Sequence, residues 1–356
     1  MKCHIVTANA CLSVCPPLRY NGANPRADRF ADSIYMSTTK ELDVICLQEL
    51  IVHRNKVLRH FTKHPHHTTI ARGSLFNGNI RFVHSGLAIV SKWPIVMQDH
   101  FVFQGLSYHA EMFMSKAILY AKIHFQNKYY INVFVTHVQA WCNETAKQIR
   151  LQQFVQMHRF INALHLNPNE PVVLCGDFNI DFYEHSRTLE EMMQTIDFTM
   201  HMPSIPQFSF DPTLNLLVGT DDANEYATRS QQHGCYEEYL NTGICSCCPK
   251  QLIDGIATSN QHLQPLSSMT SVLTNVAPQP FQIFINVSTQ RMTQNVSDHF
   301  AVLTELEFSL IETSNTTQKT NLQPVLDWHW ICLQLFLTAL LCLLFYLIRR
   351  RRRPTL

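Results

Sequence analysis

Five short apolar runs constrain the fold of this chain more than any other feature of its sequence. Each is four to six residues long and is bounded by polar or turn residues, which is typical of strands buried on both faces. Between the runs, apolar residues recur at helical spacing around Phe30 and again around Met157. Strands inside and helices outside predict an α/β sandwich. The runs cover residues 5–8, 44–47, 87–90, 131–136 and 172–175.

The composition is that of a globular protein with an uneven charge distribution. The chain has 356 residues, 46% of them hydrophobic, which is enough to bury one large core. Its formal net charge is +1, but residues 349–353 are five consecutive arginines, so the remainder is net acidic. A long phosphate polymer usually selects a basic binding face. We therefore expect no nucleic acid partner.

The C-terminal region has the pattern of a membrane anchor. Residues 331–348 are apolar except for two positions, and about 20 such residues span a bilayer as a helix. Tryptophans border this run on one side and the five arginines on the other. The alternative is a buried core helix, but such a helix seldom ends in a cluster of arginines. The sequence predicts a globular domain over residues 1–308, a polar stalk over 309–329, a transmembrane helix over 330–348 and a basic tail over 349–356.

The side of the membrane on which the domain lies stays open at this stage. The arginine cluster favours a cytosolic tail and so a domain outside the cytosol. Sequons at Asn143, Asn286, Asn295 and Asn315 suit that side. Against it, residues 1–10 predict a core strand and no signal peptide, so either the natural N-terminus lies upstream or the protein inserts by its tail.

Polar side chains stand where the apolar runs end or begin. Asn9 follows the first run, Glu49 the second, and His137 the run at 131–136. A Gly-Asp-Phe-Asn segment follows the last run, and Asp298-His299 precedes a further apolar stretch. Cleavage of a phosphodiester needs a divalent cation, a base for water and donors around phosphorus. Carboxylates, amides and histidines at strand ends supply those parts on a rigid frame.

Each of these residues has an ordinary explanation when it is taken alone. A strand-end carboxylate such as Glu49 is more often solvated, and a lone histidine is more often structural. Asp177 and Asn179 alternate around Phe178, so an extended segment would point both side chains the same way, although these residues also favour turns. It is the ordered combination that predicts phosphodiester hydrolysis.

The combination resembles a known group of enzymes. The set Asn9, Gln48-Glu49, Thr136-His137, Gly176-Asp177-Phe178-Asn179 and Ser297-Asp298-His299 is similar to that of the endonuclease/exonuclease/phosphatase superfamily. Further segments resemble its neutral sphingomyelinases, in particular the secreted bacterial sphingomyelinase C type. These segments are residues 26–28, 86–95, 115–117, 120–123, 136–140 and 209–215.

The resemblance covers about residues 1–308 and implies both a fold and an activity. The fold is a four-layer α/β/β/α sandwich, and residues 1–308 would be its catalytic phosphodiesterase domain. The activity is Mg²⁺-dependent hydrolysis of membrane sphingomyelin to ceramide and phosphocholine. The bilayer would be contacted through residues 330–348, which makes the protein a single-pass membrane protein.

The resemblance also implies the metal ligands. Glu49, helped by Asn9, would hold one catalytic Mg²⁺ against a phosphate oxygen, with Asp298 close to both metal and base. Bacterial relatives bind a second, edge metal through an acidic pair. Val83 and His84 stand at the matching positions here, so a second ion is not expected.

Roles for the remaining residues follow from the same resemblance. His299 would be the general base that activates water, oriented by Asp254. Asp177 would position that water or support the base. Asn179 and His137 would donate hydrogen bonds to the charge that builds on phosphorus. This assignment suits the chemistry, because an imidazole oriented by a carboxylate is a good base near neutral pH.

Two other functional classes remain open. The same groups could serve another phosphoester, as in a nuclease, an inositol-phosphate phosphatase or a lysophospholipase C. A catalytically inactive relative could act as a membrane receptor or scaffold. The complete set of site residues argues against an inactive protein. The acidic domain and the predicted anchor argue against a nuclease.

Three segments outside the site carry weaker expectations. Residues 280–285 predict either a membrane-insertion tip or a buried strand pair. His64, His66 and His67 predict a surface loop. The cysteines at 235, 245, 247 and 248 predict a disulfide-tied loop or free thiols more than a zinc site, because two Cys-x₂-Cys pairs are lacking.

Overall fold

The computed structural model describes residues 1–12, 23–71, 83–105, 107–141, 143–215, 217, 249–284 and 290–309. The helices in these ranges are α1 (Ala23–Met36), α2 (Arg54–His60), α3 (Glu144–Ala163) and α4 (Ser186–Ile196), with a short 3₁₀ helix at His109–Phe113. The strands are β1 (Lys2–Leu12), β2 (Val44–Leu50), β3 (His66–His67), β4 (Ala88–Ser91), β5 (Ile95–Val102), β6 (Ala117–Phe125), β7 (Tyr129–His137), β8 (Val172–Asp177), β9 (Phe198–Met200), β10 (Asp254–Ser259), β11 (Pro265–Leu273), β12 (Val276–Phe284), β13 (Gln290–Asn295) and β14 (Ala301–Phe308).

The strands form two mixed six-stranded sheets and one hairpin. One sheet has the order β11-β14-β1-β2-β4-β3, the other the order β5-β6-β7-β8-β10-β9, and β12 pairs with β13. In each sheet a central pair is parallel, β1 with β2 and β7 with β8, while the other pairings are antiparallel. All five predicted strands are confirmed, since each apolar run lies within or overlaps one of these strands.

Three apolar clusters show that the architecture has four layers. One cluster, with Ile5, Ile131 and Val173 at its centre, fills the space between the two sheets. A second packs α1 against the outer face of the β1 sheet, through Phe30 and Ile34. A third packs α3 and α4 against the outer face of the other sheet. The predicted α/β sandwich with helices outside is therefore confirmed.

Two expectations about individual segments were wrong or incomplete. His64 does not lie in a surface loop: it is buried, with Nδ1 2.8 Å from the Tyr35 hydroxyl and Nε2 3.1 Å from the Leu42 carbonyl oxygen. In the β12–β13 hairpin, Phe281 and Ile283 are buried in the core under α1, so this part of the segment is a buried strand pair.

Several predictions concern residues that the structure does not describe. They are the stalk beyond residue 309, the transmembrane helix at 330–348, the basic tail and the four cysteines between 235 and 248. Among the described helices, none has the length and apolar character needed to cross a membrane. Of the sequons, Asn295 is buried in β13 whereas Asn143 is exposed at the start of α3; the other two lie outside the described ranges.

Candidate active site

The carboxyl ends of the parallel pairs meet across the two sheets, and there Asn9 joins two carboxylates. Its side-chain nitrogen Nδ2 donates to Glu49 Oε1 at 3.2 Å and to Asp177 Oδ2 at 3.0 Å. Asn9 and Glu49 belong to the β1 sheet, whereas Asp177 ends β8 of the other sheet. The Asn9 amide therefore links the two sheets, and its contact with Asp177 joins residues that stand 168 positions apart in the chain.

The backbone around Glu49 is shaped to present its side chain. Glu49 has a φ of 51°, in the left-handed region, and the pairing of β1 with β2 shifts register just after Asn9. Gly86 lies against this turn with a φ of 68°, and a Cβ there would stand 3.1 Å from the Glu49 Cα. Strained backbone of this kind is found where a fold fixes a functional group.

His137, at the end of β7, faces the same two carboxylates. Its Nε2 lies 3.6 Å from Asp177 Oδ2 and 3.8 Å from Glu49 Oε1. The β7 and β8 strands come close here because Gly176 has no side chain; a Cβ would stand 2.6 Å from the Thr136 carbonyl oxygen. The predicted residues Asn9, Glu49, His137 and Asp177 are thus brought into one cluster.

Lys116 completes that cluster, although its sequence position did not reveal it. The buried ammonium Nζ lies 2.9 Å from His137 Nε2, donates to the Val138 carbonyl oxygen at 3.0 Å and pairs with Glu111 Oε1 at 2.5 Å. An ammonium has donors only, so His137 Nε2 accepts and the imidazole proton is on Nδ1. Within the described residues, His137 Nδ1 has no hydrogen-bond partner. Because Nδ1 is enclosed in protein, His137 meets the site through Nε2, which Lys116 holds in place.

His299 and Asp254 form the second half of the site. Asp254 begins β10, and its Oδ2 lies 2.7 Å from His299 Nδ1. Ser209 aligns the two residues: its hydroxyl accepts from the Asp254 backbone N–H at 3.3 Å, and its carbonyl oxygen accepts from the Phe300 N–H at 2.7 Å. This geometry matches the prediction that Asp254 orients His299. Because the bond to Asp254 uses Nδ1, the Nε2 atom of His299 takes no part in it.

Asp298 and Asp177 lie beside this pair. The closest approach between Asp298 Oδ1 and His299 Nε2 is 4.0 Å. Potential ligand atoms of Asp177, Asp254 and His299 all lie within 4.8 Å of one another, as do those of Glu49, His137 and Asp177. Asp177 belongs to both groups, so the two halves form one continuous site.

The position of Asn179 decides between the extended segment and the turn, the two alternatives that the sequence left open. Asn179 has a φ of 49° and its backbone N–H donates to Asp177 Oδ1 at 2.9 Å, so the extended segment ends at Asp177 and a turn follows. Alternation along a strand therefore does not align the two side chains. The Asn179 amide reaches the site differently: Nδ2 donates to the Val138 carbonyl oxygen at 3.1 Å, the same atom that accepts from Lys116.

Buried like charges dominate the electrostatics. Burial and the charge of Asp298 raise the pKa of Glu49 to about 7, and burial together with Asp254 raises the pKa of Asp177 to about 7. Burial and the neighbouring Lys116 hold the pKa of His137 below its usual range. Burial alone would lower the pKa of His299, but Asp254 and Asp298 outweigh it and raise that pKa well above its ordinary value.

This excess of negative charge fits a divalent cation. The carboxylates of Glu49 and Asp177 offer oxygen donors, which Mg²⁺ prefers over nitrogen or sulfur. Asn9 turns its Nδ2 to both carboxylates, while its Oδ1 accepts from the Cys11 N–H at 2.9 Å. A cation at these carboxylates would offset both the burial and the neighbouring negative charge that raise the two carboxyl pKa values. Val83 and His84, at the expected edge position, belong to neither group of potential ligands in the described ranges, and His84 Nδ1 accepts from the Gly86 N–H at 3.1 Å.

Fold and site together define a class of protein, the phosphoester hydrolases built on a two-sheet sandwich. The model of the Endonuclease/Exonuclease/phosphatase family matches residues 6–225, more than half of the chain. The chain belongs to this family. The superfamily resemblance drawn from the ordered site residues is thereby confirmed.

The chain is similar to bacterial sphingomyelinases in sequence and in structure. It is 29% identical to sphingomyelinase C 2 of Leptospira interrogans over 45% of this chain but only 27% of that protein. It is 25% identical to sphingomyelinase C of Listeria ivanovii over 79% of each chain. A mutant beta toxin of Staphylococcus aureus with bound magnesium ions superposes with a TM-score of 0.68 at 20% identity, over 86% of this chain and all of that one. The last comparison bears on the fold alone.

Proposed function

We propose that this protein is a divalent-metal-dependent phosphodiesterase that hydrolyses sphingomyelin to ceramide and phosphocholine. One observation carries the proposal: Asp177 is shared between the Asn9–Glu49 carboxylate cluster and the Asp254–His299 pair. A cation site and an oriented base thus adjoin the same position, as phosphodiester hydrolysis requires. The relatives named sphingomyelinase C support the choice of substrate.

The base half of the mechanism follows from the His299 geometry. Asp254 holds Nδ1, which fixes the ring and leaves Nε2 to take a proton from water. The water oxygen forms a bond to phosphorus, and the bond from phosphorus to the ceramide oxygen breaks. The ceramide oxygen takes a proton from solvent, and His299 returns to solvent the proton that it took from water. The buried Asp177 borders both groups and would orient the water.

The opposite side of the site stabilises the charge that develops on the phosphate. Lys116 supplies a buried ammonium that is held in place by His137 and the Val138 carbonyl oxygen. Asn179 reaches the same carbonyl oxygen with one amide N–H, which leaves its second N–H for a phosphate oxygen. Fixed donors of this kind act most strongly where water is excluded.

Glu49 and Asp298, beside Asp177, would hold the metal ion, which we infer to be Mg²⁺ from their carboxylate oxygens. Asn9 would hold Glu49 and Asp177 in place through its Nδ2. Bound there, the ion supplies positive charge that stabilises the phosphate oxygens and offsets the carboxylates that keep His299 protonated.

We further propose that residues 330–348 anchor the protein in the membrane that holds its substrate. Residues 1–308 would then be the catalytic domain and 309–329 a stalk. An extracytosolic domain is favoured by the arginine tail, and the exposed Asn143 is a sequon that could carry a glycan there.

A substrate panel tests the function. The full chain is incubated with sphingomyelin vesicles, lysophosphatidylcholine, an inositol phosphate and DNA, each with Mg²⁺ or with EDTA. We expect phosphocholine from sphingomyelin with Mg²⁺ and none with EDTA. Faster hydrolysis of one of the other substrates, with no release from sphingomyelin, would assign the same site to a different phosphoester.

A further inference from the structure

Two apolar tips flank the candidate active site. Met112 and Phe113, consecutive residues of the 3₁₀ helix, are 52% and 47% exposed, and Leu214 is 59% exposed. Exposed large apolar residues cost free energy in water, and a group of them beside a site commonly marks a contact surface. We call these three residues the apolar rim.

The first tip is fixed directly to the site. Glu111, on the same 3₁₀ helix, pairs with Lys116 and accepts from the Ala140 backbone N–H at 2.9 Å. The Phe113 carbonyl oxygen accepts from the Val83 N–H at 3.2 Å. The backbone that carries Met112 and Phe113 is therefore held in place next to the Lys116–His137 side of the site.

The second tip is fixed to the other side. Leu214 lies in a turn that Asp211 begins, with the Leu214 N–H donating to the Asp211 carbonyl oxygen at 3.3 Å. The next residue, Asn215, is buried and donates from Nδ2 to the Ser297 carbonyl oxygen at 2.8 Å, directly before Asp298-His299. The two tips thus stand beside the Lys116 half and the His299 half of one site.

The path of the chain shows why a surface beside the site is needed. From His299, β14 runs away from the site to Phe308, and Glu307 pairs with Lys2 at the far end of the sheet. Residues 309–329 follow and can reach at most about 70 Å when extended. If residues 330–348 anchor the chain as proposed above, such a tether would keep the domain near the membrane without turning its site towards the lipid.

We propose that the apolar rim of Met112, Phe113 and Leu214 inserts into the boundary between headgroups and acyl chains of a bilayer and so directs the active site onto its lipid. This inference rests on the proposed function. The β12–β13 hairpin does not offer the same contact through Phe281 and Ile283, because both are buried. Side chains of the rim's size bind such an interface through the apolar area they bury there.

A matched pair of exposed residues provides the control. Val96 and Met97 on β5 are 52% and 43% exposed and consecutive, like the rim pair. They lie near the end of β5 where Ile95 pairs with Ile123, whereas the end near the site is where Val102 pairs with Ala117. The control pair therefore has similar exposure but lies at the opposite end of the sheet.

The test compares two substrates and adds a direct contact measurement, all with the full chain. Met112→Ser with Phe113→Ser should lower phosphocholine release from sphingomyelin vesicles about tenfold or more. Release from a water-soluble phosphocholine ester should change less than twofold, and Val96→Ser with Met97→Ser should leave both rates unchanged. An unchanged vesicle rate in the rim variant would overturn the proposal.

Photo-crosslinking decides the outcome if the serine variant folds poorly. The photoreactive analogue benzoylphenylalanine replaces Phe113, or Val96 as control, in protein bound to vesicles of phosphatidylcholine and sphingomyelin. Lipid adducts at position 113 and none at position 96 are expected. Equal lipid labelling at positions 113 and 96, or no lipid adduct at position 113, would contradict insertion of the apolar rim into the bilayer. This readout needs no catalysis, so it also separates failure of the rim from failure of the proposed activity.

Discussion

Asp254 Oδ2 lies 2.7 Å from His299 Nδ1, and both residues are buried. The bond selects the tautomer with its lone pair on Nε2 and aims that atom at the site. The two residues stand 45 positions apart in the chain. Ser209 aligns them, because its hydroxyl accepts from the Asp254 N–H and its carbonyl oxygen accepts from the N–H of Phe300, the residue after His299. This pair is the part of the structure on which the catalytic account depends most.

Asp254→Asn should lower kcat by roughly three orders of magnitude with little change in KM, because an amide can stabilise the wrong imidazole tautomer. Added to His299→Ala, it should cause almost no further loss, since the two residues act as a unit. Asp197→Asn is the control. Asp197 accepts a hydrogen bond from Asn260, which follows the end of β10 that lies away from Asp254. Steady-state kinetics of all four variants would measure these losses, with thermal unfolding to check that each variant folds. Additive losses in the double variant would show that Asp254 and His299 do not act as a unit.

Glu49→Gln should raise the Mg²⁺ concentration needed for half-maximal activity by tenfold or more, because a neutral amide is a weaker ligand than a carboxylate. Metal titrations of the rate and of metal binding by calorimetry provide the measurement. Glu41→Gln is a suitable control, since Glu41 pairs with Lys92 on the surface. Identical titration curves for Glu49→Gln and the wild type would remove Glu49 from the metal site.

Lys116→Met should lower kcat by about 100-fold or more, because the buried positive charge beside the phosphate site and the group that holds His137 are both lost. It should also destabilise the fold, because Glu111 would lose its partner. The double variant Glu111→Gln with Lys116→Met should recover stability but not activity. Recovery of both stability and activity in the double variant would mean that Lys116 has a structural role only. The control is Lys122→Met, which breaks the ion pair between Lys122 and Glu170.

His64 should make the fold sensitive to mild acid. Burial lowers the pKa of His64 to about 4, below its value in an unfolded chain, so the unfolded state binds the extra proton first as the pH falls. Its contribution to the free energy of unfolding is therefore complete above about pH 6.5 and is lost towards pH 4, with a slope of at most about 1.4 kcal/mol per pH unit. Denaturant unfolding of His64→Gln should show a shallower pH dependence than the wild type, while His67→Gln, at an exposed position, should show no difference.

The sequence was sufficient to predict the sandwich and the grouping of Asn9, Glu49, His137, Asp177 and His299. Short apolar runs identify strands, and the polar residues that end them meet wherever parallel strands are neighbours. Each of these signals is local in the sequence. The order of the strands in the two sheets then places the residues at one site. The residues come together because β1–β2 and β7–β8 end at the same place, which Asn9 links across the sheets.

The errors arose where a long-range contact overrides a local preference. Lys116 precedes a strand, a position where a lysine is normally solvated, and it is buried because Glu111 and His137 neutralise and bind it. Its signal was the Ser-Lys-Ala segment before β6. His64 is buried because Tyr35 and Leu42 offer partners from other elements.

The most direct test of the central claim is hydrolysis of sphingomyelin in water enriched in oxygen-18, with the wild type and His299→Ala. The account predicts one heavy oxygen in phosphocholine, none in ceramide, and loss of nearly all turnover in the variant, because His299 activates water for attack on phosphorus. Heavy oxygen in ceramide, or a near wild-type rate for His299→Ala, would contradict it.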